Sequence, residues 1–404
     1  MTGEGPAPQA PHAAPLRIFM VAGEESGDQL GGALMEALAQ AAGSPLHFRG
    51  VGGARMAAAG LESLYPMEDL TAIGVTAVIG KLPIILRRLR QTVAAILKDP
   101  PDVLVLVDAP DFTHRVAARV RAANPRIPIV KYVSPTVWIW REGRAAAMRP
   151  YVDALLALLP FEPEVHRRLG GPPTFYVGHP LLEHLDELRP SAAEAERRRA
   201  EPARVLVLPG SRRREISRLG ADFGAALAMV AAQRPLDLVL PTLPRLKGLV
   251  EETVASWPVK PRIVTTPEEK YAAFRTARAA LAASGTVTLE LALAGVPQVA
   301  AYRVGWLEAQ IGRRVLKGTT VILANLVVGA DVVPEFLQEF CNPQVLATAL
   351  GEMLEDSPRR QLQEDGFGRL DDIFAIRGPS PSARAAEVVL RLARSGRPAA
   401  LPGA

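Results

Sequence analysis

The stretch "RIFMVAGEESGDQLGG" (residues 17–32) decides the fold. Residues 17–23 are an apolar run without polar–apolar alternation, which reads as a parallel strand covered on both faces. Gly23 and Gly27 let the chain turn, and "ALMEAL" (33–38) continues as a helix. Three acids, Glu24, Glu25 and Asp28, stand in that turn. A Gly-rich strand-to-helix turn ordinarily cradles phosphate, which carboxylates repel. This loop therefore suits sugar hydroxyls, and a phosphate site is expected elsewhere in the chain.

The same strand–turn–helix unit recurs. Further strands are expected at "HFRGVGG" (47–53), "DVLVLVDAP" (102–110), "PIVKYVSP" (128–135), "ALLALLPF" (154–161) and "TFYVGHP" (174–180). After the charged, Ala-rich "SAAEAERRRAEPAR" (191–204) the pattern restarts. It continues with "RVLVLPGS" (204–211), "LDLVLPTL" (236–243), "RIVTTP" (262–267), "AALAASG" (279–285) and "PQVAAYR" (297–303). Strands alternating with helices imply βαβ units. The expected fold is α/β, with two Rossmann-like domains facing a cleft. Its boundaries are a disordered tail (1–15), an N-terminal domain (16–180), a linker (181–202), a C-terminal domain (203–369) and a helical tail (370–404). That last segment packs on the first domain or on a partner chain, and the sequence leaves both open, as it leaves open a homodimer.

Composition excludes several classes. A length of 404 residues, 49% hydrophobic and 22% charged, suits a multidomain globular protein. The net charge of +5 is a mild basic excess, compatible with phosphate groups or an anionic membrane surface. No polybasic run or nucleic-acid motif is present, so no nucleic-acid partner is expected. The single Cys341 excludes an internal disulfide and a Cys-based zinc site. "MTGEGPAPQAPHAAP" (1–15) lacks the charge and apolar core of a signal peptide. The longest apolar stretch, 279–302, is interrupted by Glu290 and Pro297 and does not read as a membrane span.

Candidate ligand residues cluster at expected strand ends, where open α/β sheets bind ligands. In "LPGSRRREI" (208–216), Gly210 permits close backbone approach, Ser211 suits a helix cap, and Arg212 with the helix N–H groups suits a diphosphate. The plainer reading is a solvated basic helix start. "AASGTVTLELALAG" (282–295) repeats the turn at Ser284, Gly285 and Thr286, and places Glu290 one turn on, where it suits ribose hydroxyls. Asp108 ends a wholly apolar strand, where an unpaired buried carboxylate is costly unless a ligand site holds it. Asp111 suits a helix cap and His114 reads as surface. "YVSPTVWIWREGR" (132–144) offers Ser134, Trp138 and Arg141, a mixture that suits a sugar face and a phosphate, or simply a packed loop. His179 in "YVGHP" (176–180) is a ligand group or a structural histidine. The stretch 74–98 is amphipathic, but Val78, Ile79 and Ile84 exceed one apolar face. With Ile85, Arg87 and Arg88 they make a candidate lipid-facing patch. The chain has no D-x-D, HExxH, P-loop or G-x-S-x-G pattern, and "GVGG" (50–53) lacks dinucleotide spacing.

Taken in order, "AGEESGDQLGG", "GVGGARMAAAGLE", "VDAPDF", "YVSPTVWIWR", "LLPFE", "YVGHP", "LPGSRRREI", "SGTVTLELALAGVPQVAAYR" and "LANLVVGADVVPEFLQ" resemble the lipid-A-disaccharide synthases over about residues 16–345. Glu25 departs from the resemblance, standing where that family usually has a small residue. The resemblance implies an inverting glycosyltransferase of the GT-B type that needs no metal or other cofactor. It implies transfer of 2,3-diacylglucosamine from UDP-2,3-diacylglucosamine to 2,3-diacylglucosamine 1-phosphate (lipid X). UDP and a β-1,6-linked disaccharide 1-phosphate would be the products. The work would be done in the cytoplasm, on the inner face of a Gram-negative inner membrane. Asp108 is then the base. Gly210, Ser211, Arg212, Ser284, Gly285, Thr286, Glu290, Arg303, Asn325, Glu335 and Gln338 form the donor side. Glu24, Ser26, Gly27, Asp28, Ser134, Trp138, Arg141 and His179 form the acceptor side. The alternative is an enzyme like UDP-N-acetylglucosamine 2-epimerase, which shares the architecture and needs no lipid surface. A nicotinamide-dependent oxidoreductase lacks its glycine fingerprint here. A non-catalytic lipid-binding protein leaves the two diphosphate-type turns unexplained.

Overall fold

A computed structural model of the chain describes residues 15–70, 75–305, 320–375 and 378–396, the side chains of 75–81 excepted. The expected tail up to residue 14, the side chains of Val78 and Ile79, and the chain beyond 396 lie outside the described residues. The chain divides into two compact units.

Unit 1 holds the described residues up to Pro180 and those from Gly378 onward. Its strands are β1 (Leu16–Ala22), β2 (Leu46–Val51), β3 (Glu62–Ser63), β4 (Val103–Val107), β5 (Ile129–Tyr132), β6 (Ala154–Ala157) and β7 (Thr174–Tyr176). They form one sheet in the order β3-β2-β1-β4-β5-β6-β7. Every pairing is parallel. In β4 every residue is fully buried, and alternate residues feed two different cores. Val103, Val105 and Val107 pack on one face of the sheet, and Leu104 and Leu106 on the other. Both faces are dry, so the sequence shows no alternation. Each such side chain contributes about 1.5–3 kcal/mol of burial.

The chain returns to unit 1 through the helix Pro381–Ser395. Ser380 caps it by accepting the N–H of Ala383 at 3.2 Å. The helix packs on Glu25–Ala41 and adds Ala385, Val389 and Leu392 to the core. Arg394 donates to the carbonyl of Ala42 at 2.5 Å. Of the expected tail (370–404), residues 378–396 are thus part of unit 1, whereas 370–375, with the helix Leu370–Ile373, belong to unit 2.

Unit 2 runs from Leu181. Its strands are β8 (Ala203–Leu208), β9 (Leu236–Pro241), β10 (Arg262–Val264), β11 (Ala279–Ala283), β12 (Gln298–Tyr302) and β13 (Glu335–Leu337). Their order is β10-β9-β8-β11-β12-β13, again wholly parallel. The segment 181–202, read from sequence as a linker, carries the helices Leu185–Leu188 and Ala192–Arg197 and belongs to this unit. Arg275 pairs with Glu194 at 2.7 Å, and the Arg198 guanidinium donates to the carbonyls of Phe274, Arg275, Ala294 and Gly295. Those carbonyls lie at the C-terminal ends of two helices, where a cation is favourable. Two of the short edge strands, β3 and β13, have no apolar run to announce them.

Candidate active site

Each sheet has one place where its strand order reverses: between β1 and β4 in unit 1, and between β8 and β11 in unit 2. Loops leaving neighbouring strands in opposite directions open a crevice there, at the carboxyl ends. Part of the candidate set falls at these two points. Glu24 to Asp28 follow β1 and Asp108 follows β4; Gly210 to Arg212 follow β8 and Ser284 to Thr286 follow β11.

Asp108 is half-buried and left-handed (φ 46°), as is Ala109 (φ 43°). For non-glycine residues this backbone costs about 1–2 kcal/mol apiece, and such strain gathers at functional sites. The Asp108 carbonyl accepts the Thr113 hydroxyl at 2.8 Å and the Lys131 ammonium at 2.5 Å. Its carboxylate takes no hydrogen bond among the described residues. Gly27, in the first turn of Glu25–Ala41, brings that helix onto β1 and β4. A Cβ there would lie 3.6 Å from the Val107 carbonyl and 3.7 Å from the Asp108 Cβ. Asp111 does not cap its helix; it is exposed and pairs with Arg144 at 2.8 Å. His114 is half-buried rather than on the surface, and burial, then Lys131 and Arg144, pull it down to about 4.

Among the acceptor-side candidates, Glu24 and Ser26 are exposed at the helix start, whereas Asp28 is buried. The Asp28 carboxylate accepts the backbone N–H groups of Gly53 (2.7 Å), Arg55 (2.9 Å) and Met56 (3.1 Å), closing the start of helix Ala54–Ala58. Ser134 is buried; its hydroxyl donates to the Pro135 carbonyl at 2.9 Å and meets His166 Nε2 at 2.7 Å. Trp138 packs edge-on against Phe161, with ring centroids 5.2 Å apart. Arg141 lies exposed over the Trp140 ring at 4.1 Å. His179 is buried, and desolvation lowers it to about 4.

In unit 2, Gly210 has φ 121°, and the helix Arg213–Ala231 follows. Arg212, not Ser211, is its N-cap. Glu215 reaches back instead, accepting the N–H of Ser211 at 2.9 Å and of Arg212 at 3.2 Å. The helix Thr286–Leu293 starts at Gly285 without a side-chain cap, and Gly285 and Thr286 are exposed. Glu290 is buried and paired with Lys270 at 2.5 Å. Arg303 pairs with Asp222 at 2.6 Å. Asn325 is enclosed: its amide donates to the Val333 carbonyl at 3.0 Å and accepts the Val333 N–H at 2.8 Å. Glu335 accepts from Thr320 (3.0 Å) and Val321 (3.3 Å); its other oxygen is buried without a hydrogen bond among the described residues, and burial raises its pKa. Gln338 accepts the Val304 N–H at 2.9 Å.

In the candidate patch Ile84 is exposed, as is Leu82 two residues before it, whereas Ile85 packs on the buried core of unit 1. Arg87 is exposed. Arg88 is held at Asp69 (2.6 Å) and lies 4.4 Å over the Tyr65 ring. Among the described residues no helix is long and apolar enough to cross a membrane. A pocket of about 650 Å³ lined by Arg198, Arg199, Arg278 and Arg360 lies at the helix C-termini, away from the carboxyl ends of the strands.

Sequence reasoning passed over Lys131, Glu215 and Lys270. Lys131 was visible as a cation inside the apolar "PIVKYV" (128–133), and Glu215 as an acid three residues after Arg212. Nothing local marks Lys270 as the partner of Glu290, twenty residues away.

The family model described as lipid-A-disaccharide synthetase matches residues 18–375. The chain belongs to that family. A lipid-A-disaccharide synthase of Rhodopseudomonas palustris (strain HaA2) is 58% identical over 379 residues, covering 94% of this chain and 96% of the relative. One of Bradyrhizobium diazoefficiens is 57% identical over 382 residues, covering 94% and 97%. Two solved structures share the GT-B fold at low identity. MurG of Acinetobacter baumannii has a TM-score of 0.56 at 15% identity, covering 93% of this chain and 100% of its own. UDP-GlcNAc 2-epimerase from Neisseria meningitidis has a TM-score of 0.59 at 12% identity, covering 94% and 99%. Family membership separates the chain from the epimerase, which it resembles in fold alone.

Proposed function

We propose that this chain is a lipid-A-disaccharide synthase acting on UDP-2,3-diacylglucosamine and lipid X, with inversion, no metal and Asp108 as base. One observation carries the reading. At the β1/β4 reversal a strained backbone presents a carboxylate that no described side chain or N–H occupies. The acceptor 6-hydroxyl attacks the anomeric carbon as the bond to the UDP oxygen breaks. Its proton passes to Asp108 and the bonding electrons leave with UDP. The developing charge on UDP meets the N–H groups opening helix Thr286–Leu293, and Arg212, whose side chain is 63% exposed. Glu24 and Ser26 orient the acceptor.

Acyl chains favour the bilayer by about 0.8 kcal/mol per buried methylene. The enzyme therefore works at the inner face of the inner membrane, with Leu82, Ile84 and Arg87 toward the lipid.

Product analysis with UDP-diacylglucosamine and lipid X tests the reading. Asp108→Asn should lower turnover by about 10²–10⁴ while UDP affinity holds. Turnover within about tenfold of the parent, about 1.4 kcal/mol in barrier, removes Asp108 as base. Conversion of UDP-N-acetylglucosamine alone would favour epimerisation.

A further inference from the structure

Lys131 lies in the middle of a parallel sheet, in β5 between β4 and β6, and is fully buried. A buried ammonium is costly unless its three donors are met. Three carbonyls meet them: Asp108 at 2.5 Å, Tyr132 at 3.3 Å and Leu106 at 3.5 Å. Two of these carbonyls stand where adjacent strands end in left-handed backbone. One is that of Asp108 itself (φ 46°); the other immediately precedes Val133 (φ 75°). A β-branched residue with that φ is a backbone outlier, held only by its surroundings. One amine thus ties down both strained strand exits from beneath.

We propose that Lys131 is a positioning residue for Asp108, fixing the turn that aims its carboxylate. The proposal rests on the reading of Asp108 as base. Burial lowers Lys131 to about 7, against the attraction of Asp108. His114, on the helix Pro110–Ala123, also faces it but is held neutral near 4. Arg144 acts on His114 too and is paired with Asp111. Asp108 is therefore the anion that Lys131 balances.

The test compares Lys131→Met with Lys131→Arg, which keeps a cation able to donate to the same carbonyls. Lys131→Met should keep KM for both sugars within about twofold and lower kcat about tenfold or more, and Lys131→Arg should recover kcat to within about threefold of the parent. A Lys131→Met kcat within about threefold of the parent, or a raised KM with kcat unchanged, overturns the proposal. Should Lys131→Met fail to fold, Lys131→Gln decides by the same split. Asp108→Asn in the same assay separates the two readings. Residual turnover within about tenfold removes the base, whereas an inactive Asp108→Asn with a parental Lys131→Met kcat removes only the role of Lys131.

Discussion

Glu215 Oε2 accepts the backbone N–H of Ser211 at 2.9 Å, so the turn after β8 carries an anion of its own. The bend depends on Gly210, at φ 121°, where a Cβ would stand 2.4 Å from Glu215 Oε2 and 2.5 Å from its Cβ. Gly210→Ala therefore adds both strain and a clash, and neither neighbour can give way without opening the turn. The expected loss is about 1–3 kcal/mol in the unit 2 unfolding transition. UDP affinity should fall about tenfold, about 1.4 kcal/mol, by calorimetric titration. Parental stability and affinity would mean that the turn relaxes freely and does not shape the donor site.

Asp28 is expected to behave as a structural acid. Its carboxylate holds three N–H groups at the start of Ala54–Ala58, so Asp28→Asn should destabilise unit 1 by about 1–3 kcal/mol. The acceptor KM should stay within about twofold at temperatures where the variant is folded. The opposite result, unchanged stability with a raised acceptor KM, would return Asp28 to the acceptor.

The fold was legible because most strands are predominantly apolar runs with a turn signal after them. Burial on both sheet faces, as in β4, gives that pattern directly. The exceptions are Glu62–Ser63 and Glu335–Leu337, which are strands by virtue of their neighbours' hydrogen bonds. For the site, the sequence indicated which turns matter, since turns follow strands. It did not indicate what each polar group faces. Asp28, Ser134, Glu290 and Asn325 occur in turns or helices that look alike on paper. Their partners are Gly53, His166, Lys270 and Val333, supplied by segments that only the folded sheet brings near.

The arginines of the candidate patch should separate by role. Arg87 is exposed, whereas Arg88 is held by Asp69 and Tyr65. Ile84→Asp with Arg87→Glu should weaken sedimentation with anionic vesicles severalfold, reversing a charge worth about 1 kcal/mol near the surface. Arg88→Met should mainly lower stability, by about 1–3 kcal/mol, because Asp69 loses its partner. Parental vesicle binding by the double variant would remove the patch as the docking surface.

Unit 1 should lose stability steeply in mild acid. His114, His166 and His179 are each lowered to about 4, primarily by burial. Unfolded, they titrate near the ordinary value of about 6.5. Between those values the unfolded chain binds protons that the folded chain refuses. The stabilisation is complete above about pH 6.5 and is lost as pH falls toward 4. Glu162 opposes them: burial raises it to about 8, so the folded chain keeps a proton that the unfolded chain releases above about pH 4.5. Its contribution is full at low pH and is lost as pH rises through 8. The two substitutions therefore act with opposite sign. His166→Asn should make the acid loss shallower by up to one proton, about 1.4 kcal/mol per pH unit, and Glu162→Gln should make it steeper. Urea unfolding of unit 1 at pH 5, 6 and 7 measures both slopes. If the two variants shift the slope the same way, burial is not what sets the protonation of this pair, which lie four residues apart on the helix Glu162–Arg168.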